Sequence, residues 1–178
     1  YYNNPKREIK RIKDLLDRIT GRDKKTGSGI AKAQKAYKCA NVTQLFETAD
    51  YVTSGDNDAE IVSRLKAIVG AEEPISEKFL IRRTLSTLGI LKFGNKVENR
   101  MLALIPLCGF KREKMLGEFY YRKTDKPVTF DKYRVETGEK AVRRYETDFT
   151  PYEIIALIKA ALEDKVALYT EEIASVAC

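Results

Sequence analysis

Apolar residues recur at helical spacing along much of this chain, most densely between Asp58 and Lys123. In AEIVSRLKAIVG, Ile61, Leu65, Ile68 and Val69 share one helical face. SEKFLIRRTLSTLG predicts a second helix, with Ser76 as N-cap, Leu80 or Ile81, Leu85 and Leu88 inward, and Gly89 as the left-handed stop. NKVENRMLALIPLCG predicts a third. Asn95 and Glu98 are spaced for a capping box, Val97, Met101, Leu104 and Ile105 form the apolar face, and Pro106 shortens or kinks the helix. FKREKMLGEFYYRK then alternates on either side of Leu116-Gly117, as a hairpin does.

Three short helices closed by a basic hairpin make a winged helix-turn-helix pattern over residues 58–123. The pattern fixes a class and not a task, because such folds bind duplex nucleic acid and also dock proteins. The expected architecture is mainly α with a small β-hairpin, with helical additions at both ends. Residues 1–57 read as a basic helical extension. PKREIKRIKDLLDRIT places Ile9, Ile12, Leu15, Leu16 and Ile19 on one face, GRDKKTGSG is a loop, and residues 30–52 read as one broken helix or two short ones, with Ala31, Ala33 and Ala36 favouring helix and Val42, Leu45, Phe46, Ala49 and Val52 apolar. TSGDND breaks the pattern, with Asp56 or Asp58 as the next N-cap. Residues 124–149 read as a charged connector with marginal β structure, two short strands around Thr137-Gly138.

Thr150-Pro151-Tyr152-Glu153 is a helix start with cap, first-turn proline and returning glutamate. Residues 150–178 echo the earlier helices. Glu60, Ile61, Leu65, Lys66, Ala67 and Val69 correspond to Glu153, Ile154, Ile158, Lys159, Ala160 and Leu162, and Thr170 takes the place of Ser76. This segment is expected to open a partial second winged-helix-like unit. Since the chain starts at Tyr1 and its first Met is Met101, it is expected to be a fragment of a larger protein.

Charge sharpens the picture. Net charge is +7, and twelve Lys/Arg against four Asp/Glu fall between Tyr1 and Lys38. Clustering of this kind suits a polyanion partner, and equally a solvated face beside a neighbouring domain. With no histidine, imidazole bases, Ser-His-Asp systems and the usual zinc sets are excluded. The Gly27 region lacks the Lys-Ser/Thr of a phosphate loop. No cofactor, no metal and no catalytic residue is expected, and the fragment is read as not an enzyme. Cys39, Cys108 and Cys178 form no C-x-x-C pair, are read as small buried apolar residues, and suit a reducing cytoplasm. No apolar run approaches the roughly 20 residues of a membrane span, so no membrane association is expected.

If the fold reads DNA, the N-terminal part of the third helix enters the major groove. The candidate DNA-binding residues there are Asn95, Lys96, Asn99 and Arg100, with Lys92 just before them. The hairpin offers Lys111, Arg112, Lys114, Arg122 and Lys123, and the second helix offers Arg82 and Arg83 to the phosphate backbone. Glu98 and Glu113 set negative charge among them. Tyr120-Tyr121 read as strand and core residues, with stacking on bases as the lesser alternative.

The order Glu73-Pro74-Ile75, Arg82-Arg83, Leu88-Gly89, Gly94 with Val97, Phe119-Tyr120-Tyr121 and Glu153-Ile154 resembles the C-terminal domain of uncharacterised function found in large prokaryotic superfamily-1 DNA helicase-like proteins. The resemblance spans Asp58 to Cys178, and residues 1–57 match nothing in it. It implies a module downstream of a helicase motor, often beside a restriction-endonuclease-like domain, in DNA repair or defence against foreign DNA. None of the motor or nuclease residues is in this chain, and no functional residue carries over. Together these readings give a cytoplasmic, non-enzymatic accessory domain. Its expected partners are double-stranded DNA and the helicase or nuclease domains of the same polypeptide. The alternative is a protein-docking or dimerisation module within the parent.

Overall fold

The computed structural model describes residues 32–123, 129, 131–135 and 144–160. In chain order the elements are β1 (Gln34–Ala36), α1 (Ala49–Thr53), α2 (Asp58–Glu72), β2 (Ile75–Ser76), α3 (Glu77–Thr87), α4 (Asn95–Leu104), a 3₁₀ turn (Ile105–Cys108), β3 (Lys111–Met115), β4 (Glu118–Arg122), β5 (Tyr133–Val135) and a 3₁₀ turn (Glu146–Asp148). A further helix, α5, covers 151–160 of the described residues. The fold is mixed α and β, and the chain divides into two compact units, one of residues 37–127 and one formed by 1–36 with 128–178.

In the first unit, the apolar positions of α2 and α3 make the core. Ile61, Leu65, Ile68 and Val69 of α2 are fully buried, as are Leu80 and Leu85 of α3. Both Leu80 and Ile81 turn inward, so the choice between them dissolves. The Ser76 hydroxyl accepts from the Phe79 N–H at 3.3 Å and starts α3 as its N-cap. At the far end, Gly89 at φ +77° lets its N–H reach the Ser86 carbonyl (3.1 Å) and the Ile90 N–H reach Leu85 (3.0 Å). This double closure satisfies carbonyls that would otherwise be orphaned.

Helix α4 departs from expectation at its start. Gly94 is the N-cap, Asn95 is already helical, and no side-chain cap forms. The Asn95–Glu98 capping box is therefore absent, because a glycine in the cap position has no side chain to close it. Val97, Met101 and Leu104 face the core. Pro106, which has no N–H to continue the α ladder, falls in the 3₁₀ turn that ends the helix. Asn57, and neither Asp56 nor Asp58, is the N-cap of α2.

Strands β3 and β4 pair antiparallel from Lys111↔Arg122 to Met115↔Glu118, and the turn falls on Leu116-Gly117 as the alternation predicts. β2 adds to the other side of β4 through Ile75↔Tyr121 and Ser76↔Tyr120, giving the sheet order β2-β4-β3.

Of the helical structure expected over residues 30–52, only the end forms among the described residues, as α1 (Ala49–Thr53). Residues 37–48 carry no regular element, and residues 37–57 belong to the same unit as the α2–β4 core. Three anchors hold them. The carboxylate of Glu72, fully buried at the end of α2, accepts from the Tyr37 hydroxyl (2.7 Å), the Ala40 N–H (2.9 Å) and Arg83 Nε (3.1 Å). Near the end of α3, Leu45 N–H donates to Thr87 O and Glu47 N–H to Leu88 O, each at 2.8 Å. The buried Arg64 guanidinium spans Glu60 and the Thr43 carbonyl at 2.8 Å each.

In the second unit, β1 pairs with β5 in parallel, Gln34↔Tyr133 to Ala36↔Val135. The helical propensity of Ala36 yields to this pairing, since tertiary contacts override weak local preference. Ala33, Tyr133, Ala156 and Ala160 form a small buried cluster. The predicted α5 start forms: Thr150 N–H donates to the Glu153 carboxylate at 3.0 Å and Glu153 N–H returns to the Thr150 hydroxyl at 3.4 Å. Glu153 also gathers the Arg134 Nε (2.9 Å) and an Arg144 terminal nitrogen (2.7 Å). Burial alone would raise its pKa, but the two guanidiniums prevail and hold it at about 2. The predicted helix over 5–20, the loop over 21–29, the hairpin at Thr137-Gly138 and the cap at Thr170 lie outside the described residues.

Candidate nucleic-acid interface

Helix α4 presents two opposed faces. Val97, Met101 and Leu104 point inward, which leaves Asn95, Lys96 and Asn99 within an arc of about 100° on the exposed side. Lys92, in the loop that enters the helix, is exposed as well. These four side chains can reach a ligand without disturbing the core.

Arg100 cannot do so as readily. Its guanidinium pairs with Asp58 at the start of α2, and both side chains are about one-third exposed, 34% and 33%. That contact ties α4 to α2, so the residue with the best geometry for a guanine edge is engaged within the fold.

The hairpin sorts its charges by face. Arg112 and Lys114 lie opposite Tyr121 and Phe119. The Arg112 guanidinium sits 3.4 Å above the centre of the Phe119 ring, with the Lys114 ammonium 5.6 Å from it. Arg112 is also 3.7 Å from Glu77, with its own side chain 52% exposed. A surface pair of this kind contributes on the order of 0–1 kcal/mol and leaves Arg112 able to change partner. On the alternate positions, Lys111 is exposed, whereas Arg122 is buried against Glu113 at 3.0 Å. Lys123 is exposed at the hairpin's end, and its N–H donates to Glu73.

On α3, Arg83 is bound to the buried Glu72 and is only 10% exposed. Arg82 is half-buried, its guanidinium 4.9 Å from the centre of the Phe79 ring. The predicted set thus divides. Lys92, Asn95, Lys96, Asn99, Lys111, Arg112, Lys114 and Lys123 are exposed, Arg112 also pairing with Glu77; Arg82 is half-buried; and Arg83, Arg100 and Arg122 are engaged in ion pairs within the unit.

Tyr120 and Tyr121 are each 5% exposed and fill space rather than offer ring faces. The Tyr121 hydroxyl donates to Glu77; burial first, and then that carboxylate, push its pKa upward. Cys108 is half-buried and burial raises its thiol pKa, but Cys39 is exposed, against the expectation of a buried apolar residue.

Three features escape a reading of the sequence. Phe46 and Leu91, 88% and 79% exposed, both lie at the Gly89 turn. Phe46 reads as part of an apolar helical face, and it points outward because its segment forms no helix. Glu72 reads as an ordinary helix-end acid, and only its partners show that it is buried. Leu116, at the hairpin tip, is 78% exposed. The one signal for it in the sequence is Leu in a turn position that favours Asn, Asp or Gly.

Among the described residues no group of His, Cys, Asp and Glu is placed to hold a metal ion, and no helix is long and apolar enough to cross a membrane. Comparison of the chain with family models, curated proteins and solved structures gives no match.

Proposed function

We propose that this chain carries a winged-helix DNA-binding module, a non-enzymatic accessory to a cytoplasmic, helicase-like prokaryotic protein. Residues 150–178 would then open a second such unit. The observation that carries the reading is the order α2–β2–α3–α4–β3–β4, with β4 between β2 and β3, joined to an outer α4 arc of Asn95, Lys96 and Asn99. The exposed Lys92, Lys111, Arg112, Lys114 and Lys123 supply the cationic contacts that phosphates require. The link to a helicase rests on the sequence resemblance alone.

Fluorescence anisotropy with labelled duplex across a salt series tests this. Neutralising about five phosphates predicts a slope of roughly −4.5 in log affinity against log salt. Lys92→Glu with Lys96→Glu is the informative pair, since reversing Arg100 would set two negative charges together at Asp58. Affinity should fall at least tenfold in the double variant. No duplex binding at low salt would refute the DNA reading, and an unaffected double variant would remove α4 as the reading helix.

Protein docking is the second reading, and the exposed Phe46 and Leu91 favour it. If self-association uses these side chains, Phe46→Asp with Leu91→Asp abolishes a dimer seen by sedimentation velocity.

A further inference from the structure

We propose that Leu116, at the tip of the β3–β4 hairpin, is an apolar wedge that enters an opened base step. The preferred ligand is then nicked or forked DNA rather than an uninterrupted duplex. This deepens the DNA reading above and rests on it.

Leu116 is disfavoured twice where it stands. Its φ is +51°, followed by +85° at Gly117, and it is the one non-glycine residue with positive φ among the described residues. A two-residue turn of this geometry is met at little cost by Asn-Gly, Asp-Gly or Gly-Gly. Leucine brings a Cβ that the left-handed region resists, and it has no polar group to offset that locally. Nor does burial compensate, since the side chain is 78% exposed. The fold thus holds an apolar side chain in solvent, in a conformation it resists, at the tip of its hairpin.

The charges around it indicate what the tip meets. Both acids of the hairpin are paired: Glu113 with Arg122 at 3.0 Å and Glu118 with Lys78 at 2.8 Å. Arg112 and Lys114 line the face that leads to the turn, and both are exposed. A cationic shaft with an apolar tip suits a polyanion that has an apolar interior within one side chain's reach. A base stack fits this, because leucine is among the residues that enter base steps and partly unstack them. A bilayer fits less well, because one leucine buries too little area for stable insertion. Unstacking is easiest where a nick or a fork already interrupts the stack, hence the preference.

The test titrates the full chain with intact, nicked and forked duplexes of equal length, with 2-aminopurine beside the interruption. The wild type should bind the nicked and forked forms about fivefold or more tightly than the intact one, and 2-aminopurine fluorescence should rise on binding. Leu116→Asn and Leu116→Gly suit the turn, so the melting temperature should rise. Both should bring the preference below about twofold and remove the fluorescence rise, and Leu116→Met should restore both. Equal affinity for the three DNAs, or Leu116→Asn indistinguishable from wild type, overturns the wedge and leaves the DNA reading standing. Binding of no DNA overturns both. Leu116-dependent binding to anionic phosphatidylserine vesicles, without the DNA preference, assigns the tip to a membrane instead and overturns the wedge.

Discussion

Gly89→Ala isolates the contribution of a single backbone crossing. A Cβ at Gly89 would stand 2.9 Å from the Leu45 carbonyl oxygen and 3.1 Å from the Phe46 Cα, both main-chain atoms that cannot rotate away. The residue also sits at φ +77°, where a Cβ costs roughly 1–2 kcal/mol. Moving residues 45–46 aside strains two hydrogen bonds of 2.8 Å, Leu45 to Thr87 and Glu47 to Leu88. At about 1 kcal/mol net for each bond, the whole substitution should cost about 3–4 kcal/mol. Gly117→Ala is the control, because φ is +85° there and nothing lies within 4 Å of the added carbon. That variant carries the conformational cost alone, about 1–2 kcal/mol. Urea unfolding followed by circular dichroism at 222 nm should therefore separate the two by at least about 1.5 kcal/mol. Equal destabilisation would mean that the 43–47 segment yields freely, and the reasoning would fail.

Two further predictions follow from the buried acids. Glu72→Ala leaves Arg83, the Tyr37 hydroxyl and the Ala40 N–H without their shared acceptor, and a broken buried pair of this kind costs about 3–5 kcal/mol. Urea unfolding should show it, and a loss under about 1 kcal/mol would mean that water replaces the carboxylate. Glu153 has a folded pKa of about 2 against an ordinary 4.5, so its stabilisation is complete above pH 4.5 and is lost as pH falls toward 2. It amounts to about 3 kcal/mol near neutrality and roughly half that at pH 3. Amide-exchange protection over residues 151–160, corrected for intrinsic rates, should fall in that window and lose that dependence in Glu153→Gln. A pH-independent protection would refute the assignment.

What could be read from the sequence was local. Ser76, Gly89, Leu116-Gly117 and Thr150-Pro151 each act within a few residues, and each forms the cap, stop, turn or start expected of it. Apolar spacing likewise placed α2, α3 and α4. The misses depend on partners far away in the chain. Arg100 looked available until Asp58, 42 residues earlier, was found beside it. Arg83 looked like a phosphate contact until the buried Glu72 defined its role. Ala36 has helical propensity, but β5 nearly a hundred residues on draws it into a strand. For the candidate interface, spacing identified the exposed face of α4 and could not tell which arginines were already engaged.

The crossing of residues 45–47 over the end of α3 also has a mechanical side. Force applied along the chain at Tyr37 is borne first by the Glu72 anchor and then by the hydrogen bonds to Thr87 and Leu88. These last two join the incoming segment to the residues immediately before Gly89. A pull from the N-terminal side is therefore delivered to the joint between α3 and α4, and the incoming chain acts as a tendon on that joint.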